Sequence, residues 1–200
     1  ITLAWLLTAT RITPNVVTAT GALLLPSMLA MAVLFQPAAA LASVLVLAVV
    51  YLVLDCTDGS LARAMGHVSV SGHYWDLVTD LAYRGCIYVT VGYLADQISP
   101  WPLPVSQMSC MALAAWFAAL ARLARYNLDR LAPAGNAGQG KAAAFTAYSF
   151  LSGLDTLFPP LVALAWAAGL LSFFIAWIVF YSFADVLVAL LEARSRLKPS

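Results

Sequence analysis

Apolar residues in this chain neither alternate nor recur on one helical face; they run on. The stretch "LASVLVLAVVYLVL" (41–54) contains no charge at all. A helix needs about 20 such residues to cross the hydrocarbon of a bilayer. Pro, Gly and charged residues interrupt the runs and mark their ends. Six spans follow, at 13–35, 37–63, 72–97, 104–131, 142–168 and 170–196. Pro159 and Pro160 must kink or split the fifth, and the break before the sixth is weak because 142–196 is almost continuously apolar. Residues 1–12, "ITLAWLLTATRI", are too short to cross. They form either an interfacial amphipathic helix, with Leu3, Leu6 and Leu7 facing lipid and Arg11 at the headgroups, or an extension of the first span. The expected fold is an all-α integral membrane protein of six transmembrane helices, a single membrane domain over residues 1–200.

Composition narrows the class further. Of 200 residues 63% are hydrophobic and 10% charged, where a soluble domain carries about a quarter charged residues. Such a chain cannot cover itself with a wettable surface, so its partner is the lipid bilayer. A net charge of +1 is uninformative, and the placement of the charges matters more; no nucleic-acid partner is expected. Cys56, Cys86 and Cys110 show no paired spacing and read as reduced thiols.

The positions of the basic residues orient the chain. Arg11, Arg63, Arg122, Arg125, Arg130, Lys141, Arg194, Arg196 and Lys198 all fall on one side of the predicted spans, and only Arg84 lies within one. The positive-inside rule makes that side cytoplasmic, with both termini there.

On the same side lies the stretch "DCTDGSLARAMGHVSVSGHYWDLVTD" (55–80). Asp55, Asp58, Gly59, Ala62 and Arg63 are spaced as one stripe of a helix, and Gly72, Asp76, Asp80 and Tyr83 form a stripe on the next. A short connection makes the two helices antiparallel neighbours whose stripes can face each other. Four carboxylates in one cavity repel, and bound divalent cations relieve the repulsion. Oxygen ligands without His or Cys favour Mg²⁺, Mn²⁺ or Ca²⁺ over Zn²⁺. Gly59, Ala62 and Gly72 leave room for a flat or phosphorylated ligand, and Arg63 offers a guanidinium to a phosphate oxygen. Together these features point to phosphoryl-type transfer.

The pattern D-x2-D-G-x2-A-R-x8-G-x3-D-x3-D is met at all eight specified positions between Asp55 and Asp80. It resembles the signature of the CDP-alcohol phosphotransferases, integral membrane enzymes of phospholipid head-group synthesis. The "TPN" at 13–15 and the six-span plan resemble the same family. The resemblance implies that Asp55, Asp58, Asp76 and Asp80 ligate two divalent cations, Mg²⁺ or Mn²⁺, that hold the donor's pyrophosphate. It implies a CDP pocket of Asp58, Gly59, Ala62, Arg63, Gly72 and Asp76, with Asp80 as the general base. The expected reaction moves a phosphatidyl group from CDP-diacylglycerol to the hydroxyl of a small polar alcohol and releases CMP. The family also implies a homodimer, and the setting is a bacterial or archaeal cytoplasmic membrane.

Other features lie outside that signature. Arg122 and Arg125 in "ARLARYN" either anchor the cytoplasmic end of the fourth span or hold an anionic group of a lipid or acceptor. Lys141 follows the Gly-rich loop 131–140 and either touches phosphate or merely closes a connector. Asp155 and Asp185 read as packing or ion-pair residues, and Arg84 as a partner of Asp185 or Asp80. Three other functions compete with the main reading. The alternative donor is CDP-choline or CDP-ethanolamine, with a lipid hydroxyl as acceptor. A divalent-cation carrier would need carboxylates across the membrane rather than at one face. An intramembrane prenyltransferase would carry its aspartate motifs on widely separated helices.

Overall fold

The computed structural model describes residues 14–66, 70–131 and 157–196. Among them are six helices and no strand: α1 (Pro14–Leu34), α2 (Pro37–Ala64), α3 (Val70–Ile98), α4 (Gln107–Leu131), α5 (Phe158–Ala167) and α6 (Leu171–Arg196). Four contain stretches long and apolar enough to cross a membrane, namely Val16–Leu34, Pro37–Ala64, Gln107–Leu128 and Leu171–Arg194. Large apolar side chains also cover the outside, Leu34, Phe173 and Phe180 each more than 70% exposed. A surface of that kind belongs in lipid, and the protein is an integral membrane protein.

Local chemistry sets the helix ends. Pro37 occupies the first turn of α2 and Pro159 and Pro160 that of α5, where a missing N–H costs nothing. α2 stops at Gly66, whose φ of 67° is open to glycine and strained for most other residues. The weak boundary between the last two predicted spans falls at Gly169, with φ 70°. There Leu170 N–H donates to Ala165 O at 2.7 Å and Gly169 N–H to Trp166 O at 3.0 Å, which closes α5 and lets α6 start two residues on. Within the helices, Thr20, Ser27, Ser43, Thr57 and Ser60 each donate a hydroxyl proton to the carbonyl four residues back, so none carries an unmet donor into lipid.

α1 packs on α2 and α3, α3 on α4, and α4 on α6, while α5 rests on α2 and α6. One apolar core joins them, with Met28, Leu41, Val44, Ile87, Leu94, Met111, Val162 and Ile175 all essentially inaccessible. Fully buried Ala121 and Ala189, with Val186, allow α4 and α6 to approach closely.

The α3–α4 hairpin is closed tightly at the end away from the acidic stretch. Asp96 accepts the backbone N–H of Gln107 at 2.7 Å and of Met108 at 3.1 Å, satisfying the first donors of α4. The Gln107 amide donates back to Ala95 O and Ser99 O. Gly92 faces this turn, and a Cβ there would lie 2.7 Å from Met108 Cα. Ser172 at the start of α6 donates to Ser99 O at 2.8 Å, tying a third helix to the same end.

Candidate active site

The acidic stretch occupies the opposite ends of α2 and α3. Asp55 and Asp58 sit in the last turns of α2, and Asp76 and Asp80 in the first turns of α3. Carboxylate oxygens of Asp55, Asp58 and Asp76 all lie within 4.8 Å of one another. At an effective dielectric constant of about 20, each such pair repels by roughly 3 kcal/mol. Three anionic oxygens so placed, without a thiol or imidazole, fit a hard divalent cation. Asp58 is buried and accepts a 2.5 Å hydrogen bond from Thr18 Oγ1, which fixes its orientation from α1. Asp55 is half-buried and Asp76 exposed, so the group opens outward.

Asp80 stands apart from those three. Its Oδ1 accepts a hydrogen bond from Arg84 Nε at 3.3 Å, and its Oδ2 lies 3.1 Å from a terminal guanidinium nitrogen of Arg122. Asp55 and Asp80 nevertheless share a cavity of about 270 Å³, with Arg84 and Arg122 on its wall. Ile87, Tyr88 and Phe158 line its apolar part, so α5 contributes to the site as well. Beneath the carboxylates Tyr51 and Tyr83 stack across α2 and α3, ring centres 4.2 Å apart and planes within 4°. Both rings are buried and fix the spacing of the two helices at that level.

The remaining signature positions surround the carboxylates. Arg63 is exposed and folds back over Gly59, where an added Cβ would lie 3.6 Å from a guanidinium nitrogen. The same guanidinium reaches Ser60 Oγ at 3.4 Å. Ala62 is half-buried and Gly72 exposed on the facing helix.

Arg122 and Arg125 diverge despite their shared helix face. Arg125 donates to both carboxylate oxygens of Asp185, at 3.0 and 2.5 Å, and its Nε lies 3.6 Å from Glu192. It therefore clamps α4 to α6, and of the two arginines it is Arg122 that faces the cavity. Arg84 pairs with Asp80, and Arg125 with Asp185. Cys56, Cys86 and Cys110 are free thiols. Lys141, Asp155, the loop 132–140 and the segment 1–12 lie outside the described residues. Thr18 was not readable as a site residue, being a hydroxyl 40 positions from its partner, and Arg84 was readable only as an ion-pair partner.

The structure is that of a helical membrane protein with a cluster of three carboxylates, able to hold a hard cation, beside an arginine-walled cavity. The family model for CDP-alcohol phosphatidyltransferases matches residues 11–182, and the chain belongs to that family. It is a transferase of the CDP-alcohol type. No curated protein and no solved structure matches the chain.

Proposed function

We propose that the protein transfers a phosphatidyl group from CDP-diacylglycerol to the hydroxyl of a small polar alcohol and releases CMP. The observation that carries this reading is the convergence of Asp55, Asp58 and Asp76 beside a cavity that also holds Asp80. In this reading all six helices cross the membrane, the carboxylate end faces the cytoplasm, and two chains pair as a homodimer. The positive-inside distribution supports the orientation.

The chain's own residues divide the work. Asp55, Asp58, Asp76 and Asp80 would hold two divalent ions, Mg²⁺ or Mn²⁺, whose charge offsets that of the pyrophosphate and the leaving CMP. Gly59, Ala62 and Gly72 leave space for cytidine beside Asp58 and Asp76, and Arg63 grips a phosphate oxygen. Asp80 takes the proton from the acceptor hydroxyl. The acceptor oxygen then bonds to the phosphorus distal to cytidine, the bond from that phosphorus to the CMP oxygen breaks, and CMP leaves with the electron pair. Arg122 contacts the acceptor or its phosphate. Arg125 supports Arg122 through its hold on α6, and Lys141 is a further candidate for phosphate contact.

Purified protein with Mn²⁺ and CDP-diacylglycerol is expected to release CMP when serine, glycerol 3-phosphate or inositol phosphate is supplied, and Asp80→Asn to lose that activity. CMP release only from CDP-choline or CDP-ethanolamine with a lipid alcohol would reverse the donor. Metal flux into liposomes without nucleotide would replace the enzyme with a carrier.

A further inference from the structure

Tyr83 is almost wholly buried, 4% exposed, yet among the described residues its hydroxyl has no hydrogen-bond partner. Buried polar groups are nearly always bonded, and one left over calls for an explanation. Packing does not supply it. Phenylalanine would give the same stack on Tyr51 without burying an unbonded hydroxyl. Nor can the ring carry its hydroxyl out to solvent, because the parallel contact with Tyr51 at 4.2 Å fixes its plane.

The hydroxyl has a place to act. Tyr83 lines the cavity of about 270 Å³ that holds Asp55 and Asp80, and its stacking partner Tyr51 does not. Tyr83 follows Asp80 by three residues, which puts both side chains on one face of α3. Although two carboxylates share the cavity, the phenol donates to neither. It is an O–H donor already desolvated in the folded protein and held beside the proposed base, the arrangement that serves a reacting centre best. Molecules that react at Asp80 bring oxygens into this space, on the alcohol and on the phosphates alike. A phenolic O–H matches either.

We propose that Tyr83 is a substrate-contacting residue whose hydroxyl donates a hydrogen bond to a substrate oxygen at the reacting centre, either a hydroxyl of the acceptor or a phosphate oxygen of the CDP-linked donor. This rests on the transferase reading above and deepens it.

Tyr83→Phe removes the hydroxyl and keeps the ring. The full-length protein in detergent is assayed for CMP release with Mn²⁺, CDP-diacylglycerol and, in turn, serine, glycerol 3-phosphate and inositol phosphate, each substrate being varied separately. Tyr83→Phe is expected to lower kcat/KM about tenfold or more, the scale of one lost hydrogen bond in a desolvated site. A raised KM for the alcohol assigns the bond to the acceptor, and a raised KM for CDP-diacylglycerol assigns it to a phosphate oxygen. Tyr51→Phe takes the same atom from the other half of the stack, outside the cavity, and should keep the wild-type kcat/KM. A second readout needs no turnover. Ligand-free Tyr83→Phe should melt at or above the wild-type midpoint, by up to about 4 °C, because it sheds an unbonded buried hydroxyl. A lower midpoint would show that the hydroxyl is bonded within the protein and overturns the inference. So does a kcat/KM that Tyr83→Phe leaves unchanged, or one that Tyr51→Phe lowers equally; each of these leaves the transferase standing. CMP release by the wild type from no CDP-linked donor overturns both.

Discussion

At one end of α3, Asp96 accepts two backbone N–H groups from the first turn of α4. At the other, Asp76 has its carboxylate set within 4.8 Å of those of Asp55 and Asp58. The same residue type on the same helix is satisfied in one place and crowded by like charge in the other. The first arrangement fixes a hairpin, because helix N-terminal donors neutralise an anion without further help. The second works against folding and persists only if something else gains from it. A binding site is the end where the protein leaves like charges crowded together.

The largest expected effect lies at the crowded end. Asp80→Asn should lower CMP release about 10²–10⁴-fold per folded molecule, the range for loss of a positioned acid or base. A variant turning over at the wild-type rate would show that Asp80 is no base. Next comes the response to cation. Mn²⁺ at about 100 times its Kd should stabilise the wild type by about 2.7 kcal/mol, and Asp96→Ala by as much from its own lower baseline. Asp76→Asn should lose most of that gain. Equal responses in the two variants would erase the contrast between the ends. At the closed end, Gly92→Ala places a methyl group against Met108 Cα and should destabilise by about 1–3 kcal/mol. Melting curves in detergent read this directly, and activity per folded molecule should be retained.

How much of this the sequence held differs between the ends. α2 runs from Pro37 to Ala64 against a predicted 37–63, because Pro and charge punctuate an otherwise apolar chain there, while most of the predicted 142–168 span lies outside the described residues. α3 forms the helix expected over 72–97, but it is not among the four helices apolar enough to qualify as membrane spans by hydropathy. The grouping of Asp55, Asp58 and Asp76 followed from helical spacing on two adjoining segments. What spacing could not supply was the pairing of side chains on helices distant in sequence. Asp80 with Arg122, Arg125 with Asp185, and Asp58 with Thr18 all depend on how helices cross. The closed end was equally hidden, since an aspartate eleven residues before a helix start carries no capping signature.

The modest apolarity of α3 bears on how the chain is made. A segment holding Asp76, Asp80, Arg84 and Asp96 partitions poorly from the translocon by itself, at up to about 3 kcal/mol for each charge near its centre. In the proposed six-span arrangement, its entry into lipid waits for α4, whose arrival lets the hairpin close at Asp96 and Gly92 and lets Arg122 meet Asp80. Nascent chains stopped after residue 100 should leave α3 untranslocated, and chains extended past residue 131 should carry it across, an order that glycosylation mapping of staged truncations resolves.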